Sequence, residues 1–331
     1  MEGRRGVRTS IEHHLHDLMI ELRVDSESLA DAAARYLRYL DGPWDRPVRA
    51  VLSFGVASAC VAEAEDRLGP APAGESRPAE GWRIVRAGDA LWAELPGMAV
   101  VRADLEAGSA EAVIDPGREH PYIVRDLLGL VLGEMLRSRG RYPLHAALCE
   151  FCGRGVAIVG PTGAGKSTLA LGLTRGGFGL LTDDWALLDE TPAGVVLSPL
   201  TRSLSVPEDQ ASDALRSAAF EVRDEAPWRK YVLDRDDIGG SGLASVAPAL
   251  VILLERVESE VSELVPATQT ECLARALGQS ALATADAAAA AAQARVVRRL
   301  VDEAHWLCLR AGRDMGRDPA EGARMLRRRL S

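Results

Sequence analysis

Val156-Ala-Ile-Val-Gly160-Pro-Thr-Gly-Ala-Gly-Lys166-Ser167-Thr168 decides how this chain is read. A short apolar strand runs into a glycine-rich turn and then into the helical spacing of Leu169, Leu171 and Leu173. The turn fits G-x-x-x-x-G-K-[ST] and stands in the strand-to-helix context that a phosphate-binding loop requires. Glycines at 160, 163 and 165 let the backbone curl until successive N–H groups converge on phosphate oxygens, and the following helix offers its positive end to the same anion. The expected nucleotide contacts are therefore Gly160, Pro161, Thr162, Gly163, Ala164, Gly165, Lys166, Ser167 and Thr168. Lys166 supplies a point charge to the β- and γ-phosphates of ATP, and the Ser167 hydroxyl is placed to ligate Mg²⁺. Only two lysines, Lys166 and Lys230, stand among 39 basic residues, so a lysine in this loop is not incidental.

Downstream, one helix and a Gly176-Gly177 turn lead to Leu180-Leu-Thr-Asp183-Asp184-Trp185. Two adjacent carboxylates beside a phosphate loop can divide the work, one orienting Mg²⁺ and the other taking a proton from an attacking hydroxyl. The runs 178–182 and 185–188 read as strands of a hairpin flanking the pair. Asp189-Glu190 and Glu255 are competing acidic residues after apolar runs: a hairpin carries the first two away from the phosphates, and Glu255 ends the buried run Leu250 to Leu254. Upstream, His145 to Glu150 and Val156 to Val159 form an expected hairpin across Cys-Gly-Arg-Gly, with His145 at the start of the first strand as a candidate proton-relay partner. Arg229, Lys230 and Arg235 follow an expected loop and are candidates for a phosphate clamp.

Taken together, Leu144-His145-Ala-Ala-Leu, the loop ending Lys166-Ser167-Thr168, the helix ending Arg175-Gly-Gly-Phe, and Leu181-Thr-Asp183-Asp184 resemble the catalytic core of the HPr kinase/phosphorylase superfamily. The resemblance spans roughly 144–189, with weaker similarity through 199–207, 228–236 and 250–257. It implies an α/β fold of the HPr kinase and phosphoenolpyruvate carboxykinase type, and phosphoryl transfer from ATP to a serine hydroxyl. It also implies roles for His145 as the active-site histidine, Lys166 and Ser167 as phosphate and Mg²⁺ contacts, and Asp183 and Asp184 as the metal-associated and general-base carboxylates. Ser167 and Asp183 are thus the expected metal contacts, and either aspartate can be the base. The family's downstream signature is not found, which argues against HPr itself as acceptor and against the dephosphorylation reaction. The implied acceptor is a serine-containing protein, a peptide or free serine.

The remaining sequence frames this core. At 331 residues, 47% hydrophobic and 26% charged, the chain has the composition of a folded globular protein with room for two domains. A boundary is expected near Gly140, giving an α+β region over 1–140 and the phosphate-loop domain over 141–331. In the first region Leu18 to Val24 alternates as a strand, Ser26 or Ser28 caps a helix ended by Gly42-Pro43, and apolar runs at 50–56, 82–86, 90–95 and 98–101 predict mainly antiparallel strands. Residues 69–81, with three prolines, read as an exposed loop. Residues 122–138 read as a helix, as does the alanine-rich stretch 281–294, with 295–309 continuing or following it.

A net charge of −9 argues against nucleic-acid or anionic-membrane partners. The arginines at 324 and 327–329 read as a solvated helix end. Neither a membrane-length apolar run nor a signal-peptide core is found, and the chain reads as cytoplasmic, with a homo-oligomer compatible. Five scattered cysteines do not suggest a disulfide framework, and His13, His14 and His16 read as alternating positions at a strand rather than as metal ligands. Neither lysine fits the guanine-reading N/T-K-x-D pattern, and the L-S-G-G-Q signature of transporter ATPases is absent. A kinase, a nucleotide-binding regulator with weak ATPase activity, and an inactive relative remain as function classes.

Overall fold

The computed structural model describes residues 9–42, 47–72, 76–79, 81–225, 228–280, 286–318 and 320–330. The fold is mixed α/β, and its chain divides into two compact units, 1–140 with 283–291, and 141–282 with 292–331. Polar Glu2, Arg4 and Arg5, Pro43, and the first residues of the alanine-rich stretch, 281–285, lie outside the described residues.

The first unit holds β1 (Thr9–Leu15), β2 (Leu18–Val24), α1 (Glu27–Tyr39), β3 (Ala50–Ser58), α2 (Ala64–Leu68), β4 (Ser76–Ala79), β5 (Trp82–Ala87), β6 (Ala90–Leu95), β7 (Ala99–Asp104), β8 (Ser109–Ile114) and α3 (Pro121–Ser138). Its eight strands form one sheet in the order β1-β2-β3-β8-β7-β6-β5-β4. Hairpins account for the antiparallel pairs, as the short polar turns predict. β3 is the exception, parallel to both β2 and β8. A parallel neighbour needs a crossover, and α1 provides the one between β2 and β3. Ser26 caps that helix by accepting from the Leu29 N–H at 3.2 Å, while Leu29, Ala33 and Leu37 bury one face. The Ser28 hydroxyl instead donates to Glu119. The expected loop over 69–81 is corrected in part, since residues 76–79 pair with β5. His13 and His14 lie on β1, and His16 turns through a left-handed φ of 55° into burial beside Asp41.

The second unit holds β9 (Arg141–Phe151), β10 (Arg154–Val159), α4 (Lys166–Arg175), β11 (Gly179–Thr182), β12 (Trp185–Thr191), β13 (Gly194–Pro199), β14 (Ser203–Pro207), α5 (Asp213–Ala218), β15 (Glu221–Glu225), β16 (Trp228–Asp234), β17 (Pro248–Arg256), β18 (Glu263–Pro266), α6 (Gln269–Gln279), the part of α7 (Ala287–Glu303) from residue 292 on, β19 (His305–Ala311), α8 (Arg313–Arg317) and α9 (Ala320–Leu330). The main sheet runs β13-β12-β9-β10-β17-β19-β18, with β17 parallel to β10 and β19. Alternate residues of its central strands enter different cores. Val156, Ile158, Leu250 and Ile252 join α4 and α9 on one face, and Ala157, Val159, Val251 and Leu253 join α6 and α7 on the other. A strand covered on both faces has no polar side to show, which is why 250–254 reads as an unbroken apolar run. Residues 305–311 form a strand where a helical continuation was one expectation, because Trp306, Leu307 and Leu309 are buried beside β17.

Three more strands, β14-β16-β15, form a small antiparallel sheet. Helix α9 lies along α4 so closely that a Cβ on Gly176 would stand 2.2 Å from the Ala323 Cβ. Its arginines at 324 and 327–329 are exposed as expected, and Arg327 also donates to the Gly176 carbonyl, with its guanidinium 5.2 Å from the Phe151 ring centroid. No described helix is long and apolar enough to cross a membrane.

Candidate functional site

The loop between β10 and α4 uses its glycines for two different reasons. Gly163 and Gly165 have φ of 83° and 100°, a backbone region that strains other residues, and Gly165 is the N-cap of α4. Gly160 has no such φ, but a Cβ there would lie 2.9 Å from the Leu254 carbonyl of the neighbouring parallel strand. Pro161, Thr162 and Gly163 are exposed at the tip, Ala164 is buried beneath it, and Ser167 and Thr168 are half-buried on the first turn of α4. Lys166 folds back over the loop: its Nζ donates to the Gly160 carbonyl at 2.8 Å and to that of Pro161 at 3.3 Å. Burial lowers the Lys166 pKa, and the charges of Asp184 and Asp183 oppose that shift. Both aspartates therefore act on the loop lysine through space.

The aspartates do not sit in a hairpin, and that expectation is corrected. β11 and β12 run along the same edge of β9: after a one-residue register shift between Leu180 and Thr182, Thr182 stands opposite Leu148 and, past the pair, Trp185 opposite His145. They are one strand broken at Asp183-Asp184. Asp189 and Glu190 accordingly lie on the strand beyond the break, where Asp189 faces Arg141 and Glu190 pairs with Arg299. Several groups hold the break open. The Thr182 and Thr201 hydroxyls bond at 2.8 Å, and each also accepts a backbone N–H, from Asp184 and Trp185 respectively. Buried Arg235 donates to the Leu181 carbonyl at 3.0 Å.

The break gives its two carboxylates unlike surroundings. Asp183 is 3% exposed, and its Oδ2 accepts the Ser205 N–H at 2.9 Å from the edge of β14. Its Oδ1 meets no donor in hydrogen-bond geometry among the described residues, although the Ser167 hydroxyl stands near enough to ease the charge. Burial first, and then the neighbouring Asp184 charge, push the Asp183 pKa up to about 7, against the opposing pull of the Ser205 N–H, Ser167 and Arg223. A buried carboxylate oxygen with an incomplete donor set, beside a loop serine and a desolvated ammonium, is the chemistry of a divalent-cation ligand. Asp184 is half-exposed, with its Oδ1 3.3 Å from the His145 Nε2. The other ring nitrogen, Nδ1, lies 3.2 Å from the Gln279 Oε1, and the Trp185 ring flanks the imidazole at 5.2 Å.

The geometry thus brings together Lys166, Asp183, Asp184 and His145 with the loop 160–168. It does not bring in the proposed clamp as written. Arg229 and Lys230 lie on β16, where Arg229 pairs with Asp224 at 3.1 Å, and Arg235 donates to the Leu181 carbonyl. Glu255, next to the last residue of β17, makes an ion pair with Arg275. Thr182, Thr201, the Ser205 N–H and Gln279 were not found by reading the sequence. Each acts through a contact made across 19 to 134 positions of chain, or by backbone alone, and leaves no local pattern.

Comparison with known proteins bears on this arrangement. The chain is 41% identical over 71 residues to HPr kinase/phosphorylases of Bordetella pertussis, Bordetella parapertussis and Bordetella bronchiseptica. Over that segment the chain is HPr kinase-like. The HPr kinase-like segment is 22% of this chain and 22% of each relative, so the match spans about a fifth of the curated proteins' length. A solved structure, the Hpr(Ser) kinase/phosphatase from Coxiella burnetii, aligns with 18% identity and a TM-score of 0.24 over 38% of this chain and 77% of that one. No family model matches the chain.

Proposed function

We propose that this chain is an ATP-dependent kinase that passes the γ-phosphoryl group to a serine-type hydroxyl of a protein, a peptide or a small molecule in the cytoplasm. The observation that carries the reading is the broken strand, which sets two carboxylates of opposite character before one phosphate loop. Asp183 and Ser167 would hold Mg²⁺, which when bound neutralises charge on the β- and γ-phosphate oxygens. Lys166, already desolvated, exchanges its two loop carbonyls for phosphate oxygens. Asp184 is the half-exposed member, reachable by an acceptor, and is assigned as the base. It takes the hydroxyl proton as that oxygen attacks the γ-phosphorus in line, and the bond to the β-phosphate oxygen breaks with its electron pair leaving on ADP. His145 holds the Asp184 carboxylate in place. The HPr kinase-like segment supports the reaction class, and the chain's coverage of those relatives leaves the acceptor to experiment.

Incubation with γ-labelled ATP and Mg²⁺, first against a cell extract and then against free serine and serine peptides, tests this. The expected outcome is label on a hydroxyl, lost by at least a hundredfold in Asp184→Asn while ATP still binds. Label released only as inorganic phosphate, at equal rates in the wild type and Asp184→Asn, would instead favour a nucleotide-binding regulator with weak ATPase activity.

A further inference from the structure

The end of α6 meets the site in a way that neither the motif nor the reaction requires. Ser280, the residue after the helix, makes an antiparallel bridge with Leu144, next to His145 on β9. The bridge is anchored, because the Ser280 N–H and hydroxyl both bond the Ala276 carbonyl, at 2.9 and 2.8 Å, while Cys272 and Ala276 are buried in the core below. Gln279 is thereby fixed with its amide 3.2 Å from the His145 Nδ1. One turn earlier, on the same helical face, Arg275 grips Glu255, next to the Leu254 carbonyl that approaches Gly160 of the phosphate loop.

From this geometry we infer that Gln279 is a positioning residue, which holds the His145 imidazole with an Nε2 proton aimed at Asp184. The inference rests on the kinase reading for its functional meaning but not for its geometry. The Asp184 carboxylate can only accept, so the contact at Nε2 requires a proton there. The opposite nitrogen then carries a proton in the imidazolium and a lone pair in the neutral ring. A glutamine serves both states: its Oε1 accepts from Nδ1–H, and its amide, turned over, donates to a bare Nδ1. A carboxylate there would favour the imidazolium alone, and an apolar side chain would leave Nδ1 without a partner and the ring free to turn away from Asp184. The groups that face the ring are Asp184 from the break, Gln279 from α6 and the uncharged Trp185 ring from β12, and the Asp184 charge is also felt by Lys166. Gln279 thus keeps one Asp184 oxygen engaged whether or not the ring is charged, leaving the other for the acceptor's proton.

Imidazole ¹⁵N spectra of the full chain test this without ATP or an acceptor, with the His145 signals assigned by their loss in His145→Asn. The wild type is expected to show one Nε2-protonated tautomer at high pH. In Gln279→Leu the ring is no longer held against Asp184 and the signals move toward the mixture of a free ring, and in Gln279→Glu, whose carboxylate can only accept, they move toward those of a ring protonated at both nitrogens. In parallel, Gln279→Leu is expected to lower the rate of label transfer from ATP about tenfold with ATP affinity unchanged. Unaltered His145 signals in both variants would overturn the inference. Altered spectra in a chain whose wild type transfers no label would sustain the positioning role and count against the kinase reading instead.

Discussion

The phosphate loop and the break at Asp183-Asp184 are two interruptions of one sheet, built by opposite means. The loop interrupts the path from β10 to α4 with glycines, and the residues that allow it are the residues that form it. The break interrupts the β11–β12 strand without a single glycine. It is held from outside by the Thr201 hydroxyl, Arg235 and the Ser205 N–H, and it is the interruption that costs charge burial, since Asp183 sits in a place that penalises its ionised form. A turn made for an anion is thus neighbour to a carboxylate whose charge its surroundings penalise.

The largest expected difference between the two lies in binding. Lys166→Ala removes the only lysine of the loop and the charge-assisted bonds it offers phosphate, each worth roughly 1.5–3 kcal/mol. Calorimetry should show Mg²⁺-ATP affinity reduced by about two orders of magnitude, with the melting temperature little changed. An unaltered affinity would remove the loop from the account.

A smaller effect, opposite in sign for stability, is expected at the break. The Asp183 pKa is raised by folding from 3.8 to about 7, so its contribution to stability is fully present below pH 3.8 and is lost as pH climbs toward 7. Asp183→Asn keeps an acceptor for the Ser205 N–H and carries no charge. Without nucleotide, the variant should match the wild type near pH 4 and melt higher at pH 8, by about 2–4 °C per kcal/mol relieved. Equal melting temperatures across that range would mean the carboxylate bears no burial penalty.

This contrast also explains what could be read in advance. Gly160, Gly163, Gly165 and Lys166 declare the loop because backbone conformation demands those residue types within nine positions. The β9–β10 hairpin, β17 and α4 were legible for the same reason, local pattern matching local structure. Asp183-Asp184 was legible as chemistry but not as geometry: the hairpin expected there fails because the strand continues past the pair on β9, a pairing that no local spacing records. Gln279 was invisible for a stronger reason, since it lies 134 residues from His145 and reaches it only after α6 is anchored by the Ser280 bridge. In the first unit β2, β3, β5, β6 and β7 were found, but β8, short β4 and the parallel pairing of β3 were not, the last because parallel pairing is fixed by a crossover rather than by the strand's own residues.

The central claim is that loop and break make one metal-nucleotide site, and titration calorimetry of ATP with and without Mg²⁺, on the wild type and Asp183→Asn, tests it most directly. The account predicts that the wild type binds ATP at least tenfold more tightly when Mg²⁺ is present, and that Asp183→Asn loses most of that gain. A variant that responds to Mg²⁺ as the wild type does would contradict it, leaving an anion-binding loop with no metal partner in the broken strand.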